Sequence, residues 1–248
     1  MAGLAVFGRK QGDDIAIRAA LHSLFDRLAT ADSLSLGLDR VMRRSPMSGA
    51  DRETPRAFQA SGRNRLDMLA AAIKTNGHQP GAVRRFSIAR KSGGHRTIGL
   101  LNVTDRVVQS AAVVLMQPIL EQMFEENSFG YRIGRSVDAA ARRISVLRGQ
   151  GFTHVVEADV KRFFDTVPHD PLLVHLSALG FENRMLALIQ RWLDQSGTPG
   201  LGLVQGAPVS PLLPLSPVLP VSLPQTKGIH WAVGRPASAR GPSSRALR

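Results

Sequence analysis

The chain contains 248 residues, of which 43% are hydrophobic and 21% charged, so it is long enough to bury a core and too apolar to be wholly disordered. It has no cysteine, which excludes a disulfide scaffold, a thiolate zinc site and a cysteine nucleophile. Its 32 Lys and Arg against 19 Asp and Glu give a net charge of +13, which indicates a polyanionic partner, with nucleic acid the first candidate and an anionic membrane surface the second.

The N-terminal part of the chain carries helical patterns on both sides of a basic segment. Apolar residues recur at helical spacing over Ile15–Leu28. Residues 43–64 are rich in Arg, Gly and Pro, and we predict a basic, turn-rich segment there. A short helix is predicted over Leu66–Lys74, ended by Asn76-Gly77.

A β-hairpin is predicted over Phe86–Leu101, with its turn in Ser92-Gly93-Gly94-His95. If Gly93-Gly94 is a two-residue turn, Lys91 lies opposite Arg96. Like charges in that position are destabilising unless an anion such as a triphosphate lies between them. The alternative is that both side chains point into water at the hairpin tip.

Helices are predicted in the second half of the chain. Val107–Phe124 is an apolar helix, bent or restarted at Pro118. A further helix opens at Asp170-Pro171, within a turn and cap formed with His169, and a last helix covers about Asn183 to Gln195. Together with the predicted strands, these helices indicate an α/β (α+β) class.

A buried strand is predicted over Thr153–Val160, because the run is rich in β-branched residues. Alternation places Glu157 and Asp159 on one face, and a carboxylate at the end of a strand can hold Mg²⁺. The alternative is that Asp159 caps a turn or pairs with Arg162.

Gly206 and Pro208 predict a tight, exposed loop in which the amide of Gln205 can meet a ligand; the alternative is an ordinary turn that leads into a helix. The last acidic residue is Asp194, and prolines recur from Pro214 onward, so we predict an irregular tail over residues 214–248.

No apolar run approaches the roughly 20 residues that a spanning helix needs. The N-terminus lacks the pattern of a signal peptide. We therefore predict a cytoplasmic protein without a membrane partner.

Several ordered motifs resemble reverse transcriptases, nearest to the group II intron and related bacterial kinds. The resemblance runs from about residue 35 to Leu213. Its blocks are Gly49-Ala50-Asp51-Arg52-Glu53-Thr54 with Phe58, Arg90-Lys91-x-Gly-Gly-x-Arg96 with Asp105-Arg106-Val-Val-Gln109, Ser128-Phe129-Gly130-Tyr131-Arg132-x-Gly134-Arg135-Ser136, Asp159-Val-Lys-Arg-Phe-Phe164-Asp165, and Gln205-Gly206-x-x-x-Ser210-Pro211-Leu212-Leu213.

The resemblance implies a right-hand polymerase with fingers and a partial palm. It implies that Lys91 and Arg96 grip the triphosphate of a dNTP. Phe164 would exclude a ribose 2′-hydroxyl, and Gln205 would contact the nucleotide near its sugar. The domains so implied are a helical extension (1–34), a fingers-like region (35–150), a partial palm (151–213) and the tail (214–248).

The family also implies a metal site and a nucleic-acid path. Asp159 and the Val160 carbonyl would be metal ligands, with Mg²⁺ as cofactor, whereas Asp165 would be structural. An RNA template and a DNA primer would be the partners, along Arg132, Arg135 and the basic segment that holds Arg52 and Arg56. Intron RNA and CRISPR adaptation proteins are alternative further partners.

The family's second carboxylate motif, Tyr-x-Asp-Asp, is absent. The only Asp-Asp pair is Asp13-Asp14, and the only tyrosine is Tyr131. The change of composition at 213/214 indicates a frameshifted or truncated reverse transcriptase, a hypothesis that fails if neither other reading frame encodes the motif downstream. We therefore expect an inactive RNA-directed DNA polymerase, with a non-catalytic RNA-binding protein as the alternative.

Overall fold

The computed structural model describes residues 11–89, 94–155, 160 and 162–215. Within them lie two compact units, one formed by residues from 11–124 and 162–215, the other by residues from 125–160. The mixture of helices and a small sheet confirms the predicted α/β (α+β) class. The elements are α1 (Gln11–His22), α2 (Leu24–Leu28), α3 (Ala31–Arg44), α4 (Pro55–Ala60), α5 (Gly62–Lys74), β1 (Arg84–Ala89), β2 (His95–Leu100), α6 (Val103–Glu121), α7 (Val137–Gly149), α8 (His169–Leu179) and α9 (Asn183–Asp194).

Helix α6 forms the centre of the first unit. Most of its residues are buried, and Val107 and Ala111 are fully buried. Helix α3 packs directly against its backbone, because a Cβ atom at Gly37 would lie 2.2 Å from the Val107 carbonyl oxygen. The helix runs through Pro118 without a break, so the predicted restart there does not occur. A glycine and a long apolar helix thus fix the main contact of the core.

The segment 43–64 is more helical than predicted. Helix α3 continues to Arg44, and the Thr54 side chain accepts a hydrogen bond from the Ala57 N–H over 3.1 Å to begin α4. Proline follows at the first helical position, where its missing N–H has no cost. The Thr54-Pro55 pair therefore begins a helix within a segment for which the sequence predicts turns.

The hairpin forms, but in a different register. Ile88 lies opposite Arg96, and Phe86 lies opposite Ile98. The predicted pairing of Lys91 with Arg96 is therefore wrong, since the connection between the strands spans residues 90–94. Half-buried Phe86 and Ile98 share one face, and the connection is longer than the two-residue turn on which the predicted register was based; both the apolar pattern and the loop length set register. Lys91 itself lies outside the described residues.

Helices α8 and α9 confirm the predictions closely. Helix α8 begins at His169, one residue before Asp170, and ends at Gly180, whose φ of 108° is the left-handed conformation that glycine favours. Helix α9 is amphipathic. Its buried residues are Met185, Leu188, Ile189, Trp192 and Leu193.

The predicted strand over Thr153–Val160 is not seen in its described part. Residues 153–155 are irregular, and Val155 is 81% exposed. A strand needs a hydrogen-bonded neighbour, and among the described residues the only sheet is the β1–β2 hairpin. Residues 156–159 and 216–248, which include most of the predicted tail, lie outside the described residues; Leu213–Leu215 form a 3-10 turn.

The predicted division of the chain into four domains stays a prediction. Helix α3 spans the predicted boundary between residues 34 and 35, and it lies in one unit with α9. The boundary at residue 150 stays a prediction. In the described part of the chain, no helix is both long and apolar enough to cross a membrane.

Candidate functional site

The loop that carries Gln205 lies on the edge of β2. The Gly99 N–H donates to the Gln205 carbonyl over 2.7 Å. A Cβ atom at Gly99 would lie 2.4 Å from a Val204 methyl, and one at Gly206, where φ is 110°, would lie 2.7 Å from the Gly99 oxygen. Two glycines therefore allow strand and loop to touch backbone to backbone, which leaves the side chain of Gln205 half-buried beside the sheet.

The same loop is joined to Phe164. The Leu203 N–H donates to the Phe164 carbonyl over 2.6 Å, and the Gly202 N–H donates to the Val167 carbonyl over 2.8 Å. The half-buried ring of Phe164 meets that of Phe163 edge to face, with centroids 5.6 Å apart. Phe164 and Gln205 are thus held on adjoining pieces of backbone.

The interior of the loop is a set of tight turns. The Ala207 N–H donates to the Val204 carbonyl over 3.1 Å, and the buried hydroxyl of Ser210 donates to the same carbonyl over 2.7 Å. Val204 and Ala207 pack with Leu101 in a small apolar cluster. The tight loop predicted at Gly206 is confirmed, but its predicted exposure is wrong except at Gly206 itself, because Val204, Ala207, Val209 and Ser210 are buried.

The structure therefore brings together part of the predicted nucleotide site. Phe164, Gln205 and β2 are neighbours in one unit. Arg96 is exposed on β2, three residues before Gly99, which corresponds to about 10 Å of strand. Lys91 and Asp159 lie outside the described residues, so their placement stays a prediction.

The predicted metal site is only partly described. Val160 is 36% exposed. The Asp165 carboxylate lies 3.0 Å from the Arg162 Nε, and both side chains are more than half exposed, so the structural role of Asp165 stays a prediction. Among the described residues no group of three or more His, Asp or Glu side chains can hold a metal ion. The described residues therefore do not by themselves supply a set of metal ligands.

The base of the hairpin is fixed by polar contacts that the sequence did not reveal. Asp105, with 2% of its side chain exposed, accepts the Gly81 N–H over 2.9 Å and lies at an ion-pair distance of 3.3 Å from the His78 Nε2. The Arg85 guanidinium donates to the carbonyls of Gln195 and Ser196 over 2.6 Å and 3.0 Å. These contacts hold both the segment before β1 and β1 itself.

The N-terminal motif is anchored on the first turns of α6. The Asn102 side-chain oxygen accepts the N–H groups of Ala50 and Asp51 over 2.9 Å and 3.3 Å. The buried Arg106 donates to the Met47 carbonyl. Burial lowers the pKa of Arg106, and the Asp51 carboxylate acts in the opposite direction. The motif is thus attached to the core helix by its main chain.

The basic residues that follow this motif lie at the surface. Arg52 and Arg56 are both exposed, and Arg52 has a left-handed φ of 62°. Nearby Arg65 is instead paired with Glu53 and stacks on the Phe58 ring at 4.2 Å. Arg52 and Arg56 are accessible, and their contact with nucleic acid stays a prediction.

Arg132 and Arg135, which lie in the second unit and are predicted to bind nucleic acid, differ in how far they are buried. Arg132 is 8% exposed, and its guanidinium donates to the carbonyls of Glu125 and Ser128, each over 2.7 Å. Arg135 is half-buried; it donates to the Glu126 carbonyl and lies 5.5 Å from the Phe129 ring. The contacts of Arg132 hold a turn, and phosphate binding by either residue stays a prediction.

A family model described as reverse transcriptase (RNA-dependent DNA polymerase) matches residues 88–221 of this chain. The match continues past Leu213, where the resemblance was predicted to end. Protein YkfC of Escherichia coli K12 is 31% identical over 177 residues, which are 66% of this chain and 46% of that protein. The group II intron-encoded protein LtrA of Lactococcus lactis is 30% identical over 162 residues, 60% of this chain and 26% of LtrA.

A solved structure has a similar fold. It is described as a partial Cas6-RT-Cas1–Cas2 complex, and it matches with a TM-score of 0.51 and 23% identity, over 77% of this chain and 33% of that chain. The chain spans between 19% and 46% of the length of the first curated relatives that it matches.

Proposed function

The chain belongs to the reverse transcriptase family, and from this premise we propose that it carries the fingers and part of the palm of an RNA-directed DNA polymerase. Such an enzyme adds dNTPs to a DNA primer along an RNA template. The observation that carries the proposal is the loop of Gln205, which is bonded to β2 at Gly99 and to the backbone of Phe164.

These contacts support a dNTP site with separate parts for sugar and phosphate. Phe164 and Gln205 form the part that meets the sugar, where an aromatic side chain leaves no room for a 2′-hydroxyl. Arg96, with Lys91, meets the triphosphate, since an exposed guanidinium binds phosphate oxygens as a fork. The strand length between Gly99 and Arg96 suits a ligand that extends along the hairpin.

The metal ion that we propose is Mg²⁺, with Asp159 and the Val160 carbonyl as candidate ligands; it would stabilise the charge on the triphosphate. Two such ions need several carboxylates. The printed sequence has no Asp-Asp pair after Asp159. The 248-residue polypeptide by itself is therefore expected to bind nucleotide without extending a primer.

The proposed macromolecular partners are an RNA template and a DNA primer, along Arg52, Arg56, Arg132 and Arg135. Intron RNA is the first further partner to test, because LtrA is named as a group II intron-encoded protein. CRISPR adaptation proteins are the second. We place the protein in the cytoplasm.

A second candidate function is RNA binding without catalysis. The last turns of α3 carry Arg40, Arg43 and Arg44, and the pKa of Arg40 is lowered by burial and by the charges of its two neighbours. The positive charge of these three arginines is the kind of surface that attracts the phosphates of RNA. This function needs neither Asp159 nor a metal ion.

Binding and extension assays separate the two functions. The polypeptide is titrated with an RNA–DNA hybrid, then with dGTP in Mg²⁺, and is finally tested for primer extension with Mg²⁺ or Mn²⁺. We expect hybrid binding, weak dGTP binding and no extension. Robust extension would contradict the inactivity. Salt-sensitive hybrid binding that is unchanged in Asp159→Ala, with no dGTP binding, would favour the second function.

A further inference from the structure

His169 lies beneath the predicted nucleotide site and has no role in the proposed function. It is 1% exposed at the start of α8. Its Nε2 lies 2.7 Å from the Gly202 carbonyl oxygen, and its main-chain N–H donates to the Gly200 carbonyl over 3.0 Å. Because a carbonyl only accepts, the imidazole carries its proton on Nε2. The ring therefore acts as a fixed donor to this loop.

The Gly202–Leu203 peptide group is held at both ends. Its carbonyl receives the His169 hydrogen bond, and its N–H, which belongs to Leu203, donates to the Phe164 carbonyl over 2.6 Å. A peptide group is planar, so fixing its oxygen also fixes the direction of its N–H. The orientation that His169 imposes is transmitted directly to the backbone of Phe164.

The glycine at this point permits the close approach. Gly202 has a φ of 86°, and a Cβ atom there would lie 3.2 Å from the Asp165 carbonyl oxygen and 3.4 Å from that of Phe164. No other residue type allows both the left-handed conformation and this distance without strain. Glycine by itself does not restrict the orientation of this peptide group, so the orientation depends on the hydrogen bonds made to it by His169 and by the Phe164 carbonyl.

We propose that His169 is a positioning residue that sets Phe164 and the Gly202–Gln205 segment relative to each other. The inference rests on the proposed function, because only that function assigns Phe164 and Gln205 to the sugar of a dNTP. His169 acts through the peptide group and does not touch the nucleotide. Its Nδ1 has no partner among the described residues, so the single Nε2 bond is its contribution.

The test compares His169→Leu with His169→Gln. Leucine fills the site but has no donor, whereas the side-chain amide of glutamine places an N–H near the position of Nε2. The first measurement is amide hydrogen exchange of Leu203 in the full chain. We expect exchange about tenfold faster in His169→Leu, near wild type in His169→Gln, and unchanged at Val108 in the core helix of both variants.

The second measurement is the ratio of dGTP to GTP affinity in the presence of an RNA–DNA hybrid whose primer is dideoxy-terminated. We expect His169→Leu to lower this ratio and His169→Gln to restore it. Unchanged Leu203 exchange in His169→Leu, or no rescue by glutamine, would overturn the positioning role. If the exchange results hold and the wild type does not distinguish dGTP from GTP, the positioning role stands and the proposed function fails.

Discussion

Gly99 and Gln205 share a main-chain hydrogen bond of 2.7 Å that makes the loop after residue 202 a continuation of the edge of β2. The contact depends on the absence of a side chain at Gly99. This glycine is buried, and a Cβ atom there would overlap side-chain atoms of Val204 and Val83. A nucleotide site built on this loop therefore depends on the hairpin for its shape.

Gly99→Ala is expected to lower the free energy of unfolding by about 1–3 kcal/mol, because the added methyl overlaps a Val204 methyl. Urea denaturation measures the change. Gly130→Ala is the matched control, since nothing lies within 4 Å of a Cβ atom there. Equal stability of the two variants would contradict the backbone contact.

Arg96→Ala is expected to weaken dNTP binding by about tenfold, through loss of a charge-assisted contact with the triphosphate. Arg84→Ala is the control. Arg84 is also exposed and lies on the same face of the hairpin, but it pairs with Leu100 at the opposite end. Titration of dGTP onto each variant gives the comparison, and an equal loss in both would indicate only a general effect of charge.

Phe164→Val is expected to reduce the preference for dGTP over GTP, because the smaller side chain leaves space for a 2′-hydroxyl. Phe163→Val removes the same amount of apolar surface from the adjoining ring, with which Phe164 is in edge-to-face contact. The affinity ratio for the two nucleotides should change in the first variant and not in the second. A change in both would point to loss of packing.

Asp105→Ala is expected to cost about 2–4 kcal/mol of folding free energy, since it leaves the Gly81 N–H without its acceptor and removes the carboxylate that lies 3.3 Å from the His78 Nε2. Asp165→Ala breaks only an exposed pair with Arg162 and should cost less than about 1 kcal/mol. Thermal unfolding of both variants tests the difference. Similar melting temperatures would refute the structural role of Asp105.

The double variant Arg52→Ala with Arg56→Ala is expected to flatten the dependence of RNA affinity on salt. Each lost phosphate contact should reduce the slope of log K against log salt by roughly 0.7. Arg63→Ala is the control, because its guanidinium already pairs with Asp32 and Asp67. An unchanged slope in the double variant would remove this segment from the nucleic-acid path.

The sequence predicted elements whose signals are local. The apolar periodicity of α9 and the glycine that ends α8 were enough to place both helices. The motif order predicted one site for Phe164 and Gln205; the structure brings their backbone segments together, and the site itself stays a prediction. The start of α4 was missed because a Thr-Pro pair is compatible with a turn as well as with a helix cap.

The remaining features depend on contacts between distant residues. Pairing of Ile88 with Arg96 follows from packing at the base of the hairpin, which no turn motif encodes. The bond of His169 to Gly202 joins residues that are 33 positions apart, and neither neighbourhood shows a pattern that links them. A single histidine between a proline and an aspartate indicates no more than a helix start.

The Arg85 guanidinium, bound to the carbonyls of Gln195 and Ser196, has a mechanical consequence. It is a tether between β1 and the chain just after the C-terminal end of α9. Any displacement of the hairpin must pull that helix end along or break two hydrogen bonds. The position of the hairpin is thereby coupled to that of α9.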